Sequence, residues 1–216
     1  MHFLEKLRAR SNNILWLMAA LYFVGIIGLS WLGHIPAVWY ATGPFLLMNG
    51  FVLWFFYENA RVKDILPLAF AYFAGFGTEV LGTQTGWPFG SYIYGDVLGP
   101  ALWNTPLLIG FNWLMLTYLV WSWLLGLGFS RHWAVPVGAL VLVAYDWVLE
   151  PVAIYAGMWT WSGGKPPLQN YLGWFGLAVI ILAFYNLTGF HPRNRMASWI
   201  LLFQWVFFAS LRLVIA

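Results

Sequence analysis

The sequence predicts an all-α, polytopic membrane protein of about seven transmembrane helices, with two long outer loops rich in Gly, Pro and aromatic residues. Three observations carry this expectation. Hydrophobic residues make up 62% of the chain and charged residues only 8%, more apolar surface than a soluble domain can hide. No polar stretch is long enough to form a soluble domain, so residues 1–216 read as a single integral membrane domain. The apolar residues also fall into seven runs of roughly the ~20 residues that a helix needs to cross a ~30 Å hydrocarbon core.

In chain order the runs are Ile14–Leu32, Val38–Tyr57, Ile65–Leu81, Pro106–Leu127, Val135–Ala156, Tyr171–Phe190 and Ala197–Ile215. The basic N-terminus MHFLEKLRARSNN resembles the start of a signal peptide. The apolar run after it is too long for that role and further spans follow, so it reads as a first transmembrane helix. Asp64 is placed to cap the third helix, with Pro67 in its first turn, and Thr105–Pro106 reads as the N-cap and N1 pair of the fourth. Pro151, inside the fifth run, is expected to free backbone carbonyls for water.

Basic residues set the orientation. Lys6, Arg8, Arg10, Arg61, Lys63, Arg131, Arg193 and Arg195 all fall on one side, against Lys165 and Arg212 on the other. This predicts a multi-pass protein of the cell membrane, N-terminus cytoplasmic and C-terminus outside. The two longest connections, Gly82–Thr105 and Gly157–Asn170, then lie on the outer side, folded back as a lid or resting in the interface. The net charge of +3 reads as this topological bias, and no nucleic-acid partner is expected. Zero cysteines excludes disulfides, thiol nucleophiles and Cys-based metal sites. His2, His34, His132 and His191 fall at termini or in loops, so neither a metal site nor a cofactor is expected.

Against this apolar background, Glu79, Asp146 and Glu150 lie inside predicted spans. An acid in hydrocarbon costs at least ~2.5–3.5 kcal/mol, and such residues commonly mark a functional site. At ~1.5 Å per residue, Glu79 lies ~21 Å up the third helix and Glu150 ~22 Å up the fifth, a shared depth. Asp146 precedes Glu150 by one turn and projects from the same face. These placements predict one polar pocket near the outer surface, in which one carboxyl group is a neutral acid and another its ionised partner. A purely structural alternative has the acids bonded to Asn49, Asn112 or Gln204. Asp96 suits a turn, and Glu58, beside Arg61, a helix end.

Trp16, Trp31, Trp39, Trp121, Trp123 and Trp199 read as interfacial anchors. Trp87, Phe89, Tyr92, Tyr94, Trp159 and Trp161 instead flank the acid-bearing helix ends, where their π faces can stabilise a cation.

Three blocks, GTEVLGTQTGWPFGSYIYGDVLGP, YDWVLEPVAIYAGMWTW and PPLQNYLGW, span about Glu79 to Trp174. Together they resemble the integral-membrane carotenoid biosynthesis family typified by CruF-type carotenoid 1',2'-hydratases and bisanhydrobacterioruberin hydratase. The resemblance implies water addition across the terminal C1=C2 double bond of an acyclic ψ end group, giving a tertiary alcohol. It implies no redox or metal cofactor. The partners it implies are a carotenoid such as lycopene, γ-carotene or a C50 carotenoid, the lipid bilayer, and other enzymes of the pathway. The candidate catalytic residues are Glu79, Asp146 and Glu150, with Asp146 or Glu79 as proton donor and Glu150 positioning water. The candidate substrate contacts are Trp87, Phe89, Tyr92, Tyr94, Asp96, Trp159, Trp161 and Asn170. A membrane terpene or carotenoid cyclase uses the same cation, and a proton-coupled carrier is an alternative of a different class. A retinal photoreceptor fails because the last helix has no Lys for a Schiff base.

Overall fold

A computed structural model describes residues 11–215; Lys6, Arg8, Arg10 and His2 lie outside the described residues. In chain order it contains α1 (Ser11–Leu32), a 3-10 turn (Pro36–Ala41), α2 (Thr42–Phe55), a 3-10 turn (Val62–Asp64), α3 (Ile65–Thr85), β1 (Tyr92–Tyr94), β2 (Ala101–Leu102) and β3 (Thr105–Pro106). There follow α4 (Leu107–Gly126), α5 (Arg131–Tyr155), β4 (Trp159–Trp161), α6 (Leu168–Leu187) and α7 (Ala197–Ile215). Among the described residues, seven helical segments are long and apolar enough to cross a membrane, one for each predicted run.

The boundaries differ for a physical reason. Hydropathy marks what lies in lipid, whereas a helix ends where its i→i−4 bonds stop. So α3 runs a turn past Leu81 to Thr85, α5 begins at Arg131 with His132 in its first turn, and α6 begins at Leu168, taking Asn170 out of the loop. The second run is divided at Thr42 by the 3-10 turn. Two capping expectations are corrected. Asp64 holds the N-cap position of α3, but its side chain makes no cap bond to that helix; it accepts from the Arg61 backbone N–H at 2.9 Å and caps the preceding 3-10 turn. Thr105 sits in β3 and its hydroxyl pairs with that of Thr83, leaving Pro106 as the N-cap of α4.

The helix α4 is apolar all round, and such a helix belongs in the middle of a bundle. It packs against α3, α5 and α7; α6 lies against α5 and α3, and α1 packs on the outside of α7. Gly75 lets α3 and α4 approach closely, since a Cβ there would stand 2.4 Å from Trp113 Cβ. Trp39 and Trp121 are buried rather than anchored at an interface: their indole N–H groups donate to the carbonyls of Gly33 and Phe190. In the absence of local water, each polar N–H needs such a partner.

Pro136 and Pro151 both lie inside α5, which continues through them to Tyr155. Pro151 has no N–H for the carbonyl of Trp147, four residues back. That carbonyl is taken by the Arg212 guanidinium of α7, which also lies 3.6 Å over the Trp147 ring. The freed acceptor expected from the sequence exists, but a side chain rather than water satisfies it.

Four short strands interrupt the all-helical plan. β2 and β3 form a hairpin through Trp103 and Asn104, both at positive φ as a two-residue turn requires. β1 and β4 pair antiparallel, Tyr92 opposite Trp161 and Tyr94 opposite Trp159. The two long loops are therefore tied to each other, and that ribbon positions the site.

Candidate functional site

Side chains two apart on a strand share a face. Tyr92 and Tyr94 on β1, and Trp159 and Trp161 on β4, share the face turned into the bundle, while Ile93 and Thr160 are exposed on the other. The paired rings touch, with centroids 4.9 Å apart for Tyr92 and Trp161 and 6.0 Å for Tyr94 and Trp159. Each strand then serves a different acid. The hydroxyls of Tyr92 and Tyr94 donate to Glu79 Oε2 at 2.5 and 2.7 Å. The indole N–H groups of Trp159 and Trp161 donate to Glu150 Oε2 at 3.1 and 3.0 Å. Gly82, one turn above Glu79, makes room for this: a Cβ there would lie 2.8 Å from the Tyr92 hydroxyl.

From the bundle side, Trp113 on α4 donates to Glu79 Oε1 at 2.9 Å. Asn170, in the first turn of α6, donates to Asp146 Oδ2 at 2.7 Å and to Glu150 Oε1 at 3.5 Å. The two glutamates thus face neutral donors only, an arrangement that holds an anion without a cation beside it. Burial first, then the nearby Glu79 carboxylate, push the Tyr92 and Tyr94 phenols well above their ordinary pKa, so both remain donors. Asp146 differs. It is fully buried, and its Oδ1 has no hydrogen-bond partner among the described residues.

All three acids line one cavity of about 30 Å³, together with Phe89, Tyr92, Tyr94, Ile109, Asn112, Trp113, Trp159, Trp161, Asn170 and Trp174. That is room for a water molecule or two. Trp113 and Trp174 pack against each other with ring centroids 4.2 Å apart. Ile109, Asn112 and Trp159 are shared with a larger, mainly apolar cavity of about 570 Å³ on the other side.

Six of the eight residues marked from the sequence as substrate contacts therefore line the acid cavity. Trp87 and Asp96 do not: Trp87 is exposed, and Asp96, also exposed, accepts from the Tyr40 hydroxyl at 3.3 Å. Asn49 and Gln204 make no bond to the acids; they pair with Tyr22 and Tyr145. Sequence reasoning missed Trp113, Trp174 and Ile109. Trp174 carried a readable signal, lying one turn after Asn170 on the same face of α6. Trp113 carried none of its own, because α4 is apolar on most sides and holds three tryptophans, and nothing in the pattern says which of them meets an acid. Among the described residues, no group of three His, Cys, Asp or Glu side chains is arranged to hold a metal ion.

Comparison with known proteins decides the family. The profile described as "carotenoid biosynthesis protein" matches residues 41–216. The chain belongs to this carotenoid biosynthesis family. A relative of known name, the bisanhydrobacterioruberin hydratase of Haloarcula japonica, is 32% identical over 136 residues, which is 56% of this chain and 45% of the relative. The match thus spans less than half of that hydratase's length. The site is therefore argued from its own geometry. No solved structure matches this carotenoid biosynthesis protein.

Proposed function

We propose that this protein is a carotenoid hydratase, adding water across the terminal C1=C2 double bond of an acyclic ψ end group. The observation that carries the reading is Asp146 Oδ1, a buried carboxyl oxygen with no partner among the described residues, in a cavity of water size beside two glutamates that each accept several hydrogen bonds. Membership of a carotenoid biosynthesis family and the likeness to a named hydratase support it.

Hydrating an unactivated alkene takes a proton donor, stabilisation of a tertiary cation, and one admitted water. Asp146 gives the proton on Oδ1 to C2, and the C1–C2 π electrons form the new C–H bond. The positive charge on C1 faces Glu79, Glu150 and the rings of Trp113, Tyr92 and Trp161. A cavity water adds its oxygen to C1 and passes a proton to Glu150, leaving a tertiary alcohol. Transfer of that proton back to Asp146 completes the cycle, and no electron leaves the system.

Expression in a lycopene-accumulating bacterium, with extracted pigments resolved by chromatography and mass spectrometry, tests this. The expected product is heavier by one water with its polyene absorption unchanged. A product of unchanged mass and shortened chromophore identifies a cyclase instead, and no product from lycopene, γ-carotene or an acyclic C50 carotenoid overturns the reading.

Asn112 has a defined part in this scheme. Its amide lies in the wall between the two cavities, and its side chain makes no hydrogen bond to the described residues. It is placed to orient the attacking water. Asn112→Leu is expected to shift the product ratio from water-added to mass-neutral carotenoids; an unchanged ratio removes Asn112 from that role.

A further inference from the structure

The larger cavity is bounded by α1, α2, α4, α5 and α7. The helix α1 packs on α7 and α2 on α4, whereas the α1 and α2 backbones stay apart and meet through Tyr22, which reaches Phe45 and Asn49. Leu21, Val24 and Leu32 of α1 and Pro44 of α2 line the cavity and are also exposed on the outer face of the bundle. The cavity therefore opens sideways, between α1 and α2, on the surface that faces lipid.

Apart from Thr42 and from Asn112 in the shared wall, its polar side chains are hydrogen-bonded to other side chains or to backbone. The Tyr22 hydroxyl donates to Asn49 Oδ1 at 2.9 Å, Asn49 Nδ2 to the Phe45 carbonyl at 2.8 Å, and the Tyr145 hydroxyl to Gln204 Oε1 at 3.3 Å. The rest of the lining is mainly aliphatic and aromatic surface, which selects an apolar occupant. From Leu21 to Leu32 the cavity follows α1 for about 16 Å, roughly half of a ~30 Å hydrocarbon core. A carotenoid as long as the core cannot fit whole. Only one end can enter, with the remainder left in lipid.

Resting on the hydratase reading for the identity of its occupant, we infer that this cavity is an entry chamber. It admits one end of an acyclic isoprenoid chain from the bilayer between α1 and α2. The chain end then passes Asn112 to reach the acids, through the wall that the two cavities share.

Gly28 supplies the test. It lines the chamber, and a Cβ built there meets nothing within 4 Å, so a side chain starts there without striking the walls. Gly77 on α3 is equally unobstructed but exposed and outside the chamber, and serves as the control. Wild type, Gly28→Leu, Gly28→Trp, Gly77→Trp and Asp146→Asn are expressed in the lycopene-accumulating strain. Each is purified in mild detergent, and bound pigment per protein is read from its visible absorption. Elution volume and helical circular dichroism report folding.

Wild type and Gly77→Trp are expected to carry pigment. Gly28→Leu should lose part of it, and Gly28→Trp about tenfold or more, equivalent to ~1.4 kcal/mol of binding. Asp146→Asn should keep its pigment while making no product. Pigment bound by wild type and lost in Gly28→Trp, in a protein that makes no alcohol, upholds the chamber and overturns only the hydratase reading. Pigment and product at wild-type levels in a folded Gly28→Trp overturn the chamber. So does a wild-type protein that retains phospholipid and no pigment. If Gly28→Trp fails to fold, Gly28→Leu decides on the same readout.

Discussion

Asp146→Asn is expected to lower alcohol formation by about 10²–10⁴-fold, the range that a positioned general acid contributes, with no change in the amount of protein in the membrane. The substitution keeps the size of the side chain and an oxygen able to accept from Asn170, which now donates to Asp146 Oδ2 at 2.7 Å. It replaces the acidic O–H by an amide NH₂ that cannot give up a proton. The fold has little reason to respond, because Oδ1 is bonded to none of the described residues. The measurement is pigment product per unit of immunoblotted protein. More than about a tenth of wild-type turnover, a loss worth less than ~1.4 kcal/mol of barrier, would take the donor role from Asp146 and return it to a glutamate.

Glu79→Gln is expected to lose both product and stability, and that double loss separates it from Asp146→Asn. Three donors converge on the Glu79 carboxylate: two phenols on Oε2 and the Trp113 indole on Oε1. A glutamine has one oxygen, so in either orientation its NH₂ points at a donor and leaves buried groups unpaired. Each such mismatch costs about 1–3 kcal/mol. Because Tyr92 and Tyr94 are the β1 half of the ribbon, the mismatch also loosens β4, which holds Trp159 and Trp161 on Glu150. Product should fall by at least about tenfold, and the thermal unfolding midpoint in detergent should drop. A variant with wild-type activity would show that the anion at this position takes no part in the reaction. Lost activity at an unchanged midpoint would separate the chemical role of Glu79 from its structural one.

These expectations draw on two kinds of information. Apolar run lengths marked the seven spans, because the cost of exposing backbone and charge to lipid acts on every residue separately. The common level of Glu79 and Glu150 followed from helical rise, and the shared face of Asp146 and Glu150 from helical periodicity. The aromatic alternation of Tyr92-Ile93-Tyr94 and Trp159-Thr160-Trp161 was also visible in the chain, although its meaning was not. A three-residue strand is too short to announce itself, and its partner lies in the other loop.

The sequence by itself thus determined the membrane class, the number and rough limits of the spans, Glu79 and Glu150 at one depth with Asp146 a turn away, and the aromatic loops beside them. Only the tertiary structure decided which donors serve which acid, that Trp113 joins the site, and that Trp87 and Asp96 stay outside it. It alone left Asp146 Oδ1 without a partner among the described residues and opened the chamber between α1 and α2. The division has a physical cause. Hydropathy and helical period are local properties, readable residue by residue. Hydrogen bonds between distant side chains depend on how each helix is rotated about its axis. In a bundle solvated by lipid, apolar residues face both lipid and core, so no hydrophobic stripe reports that rotation.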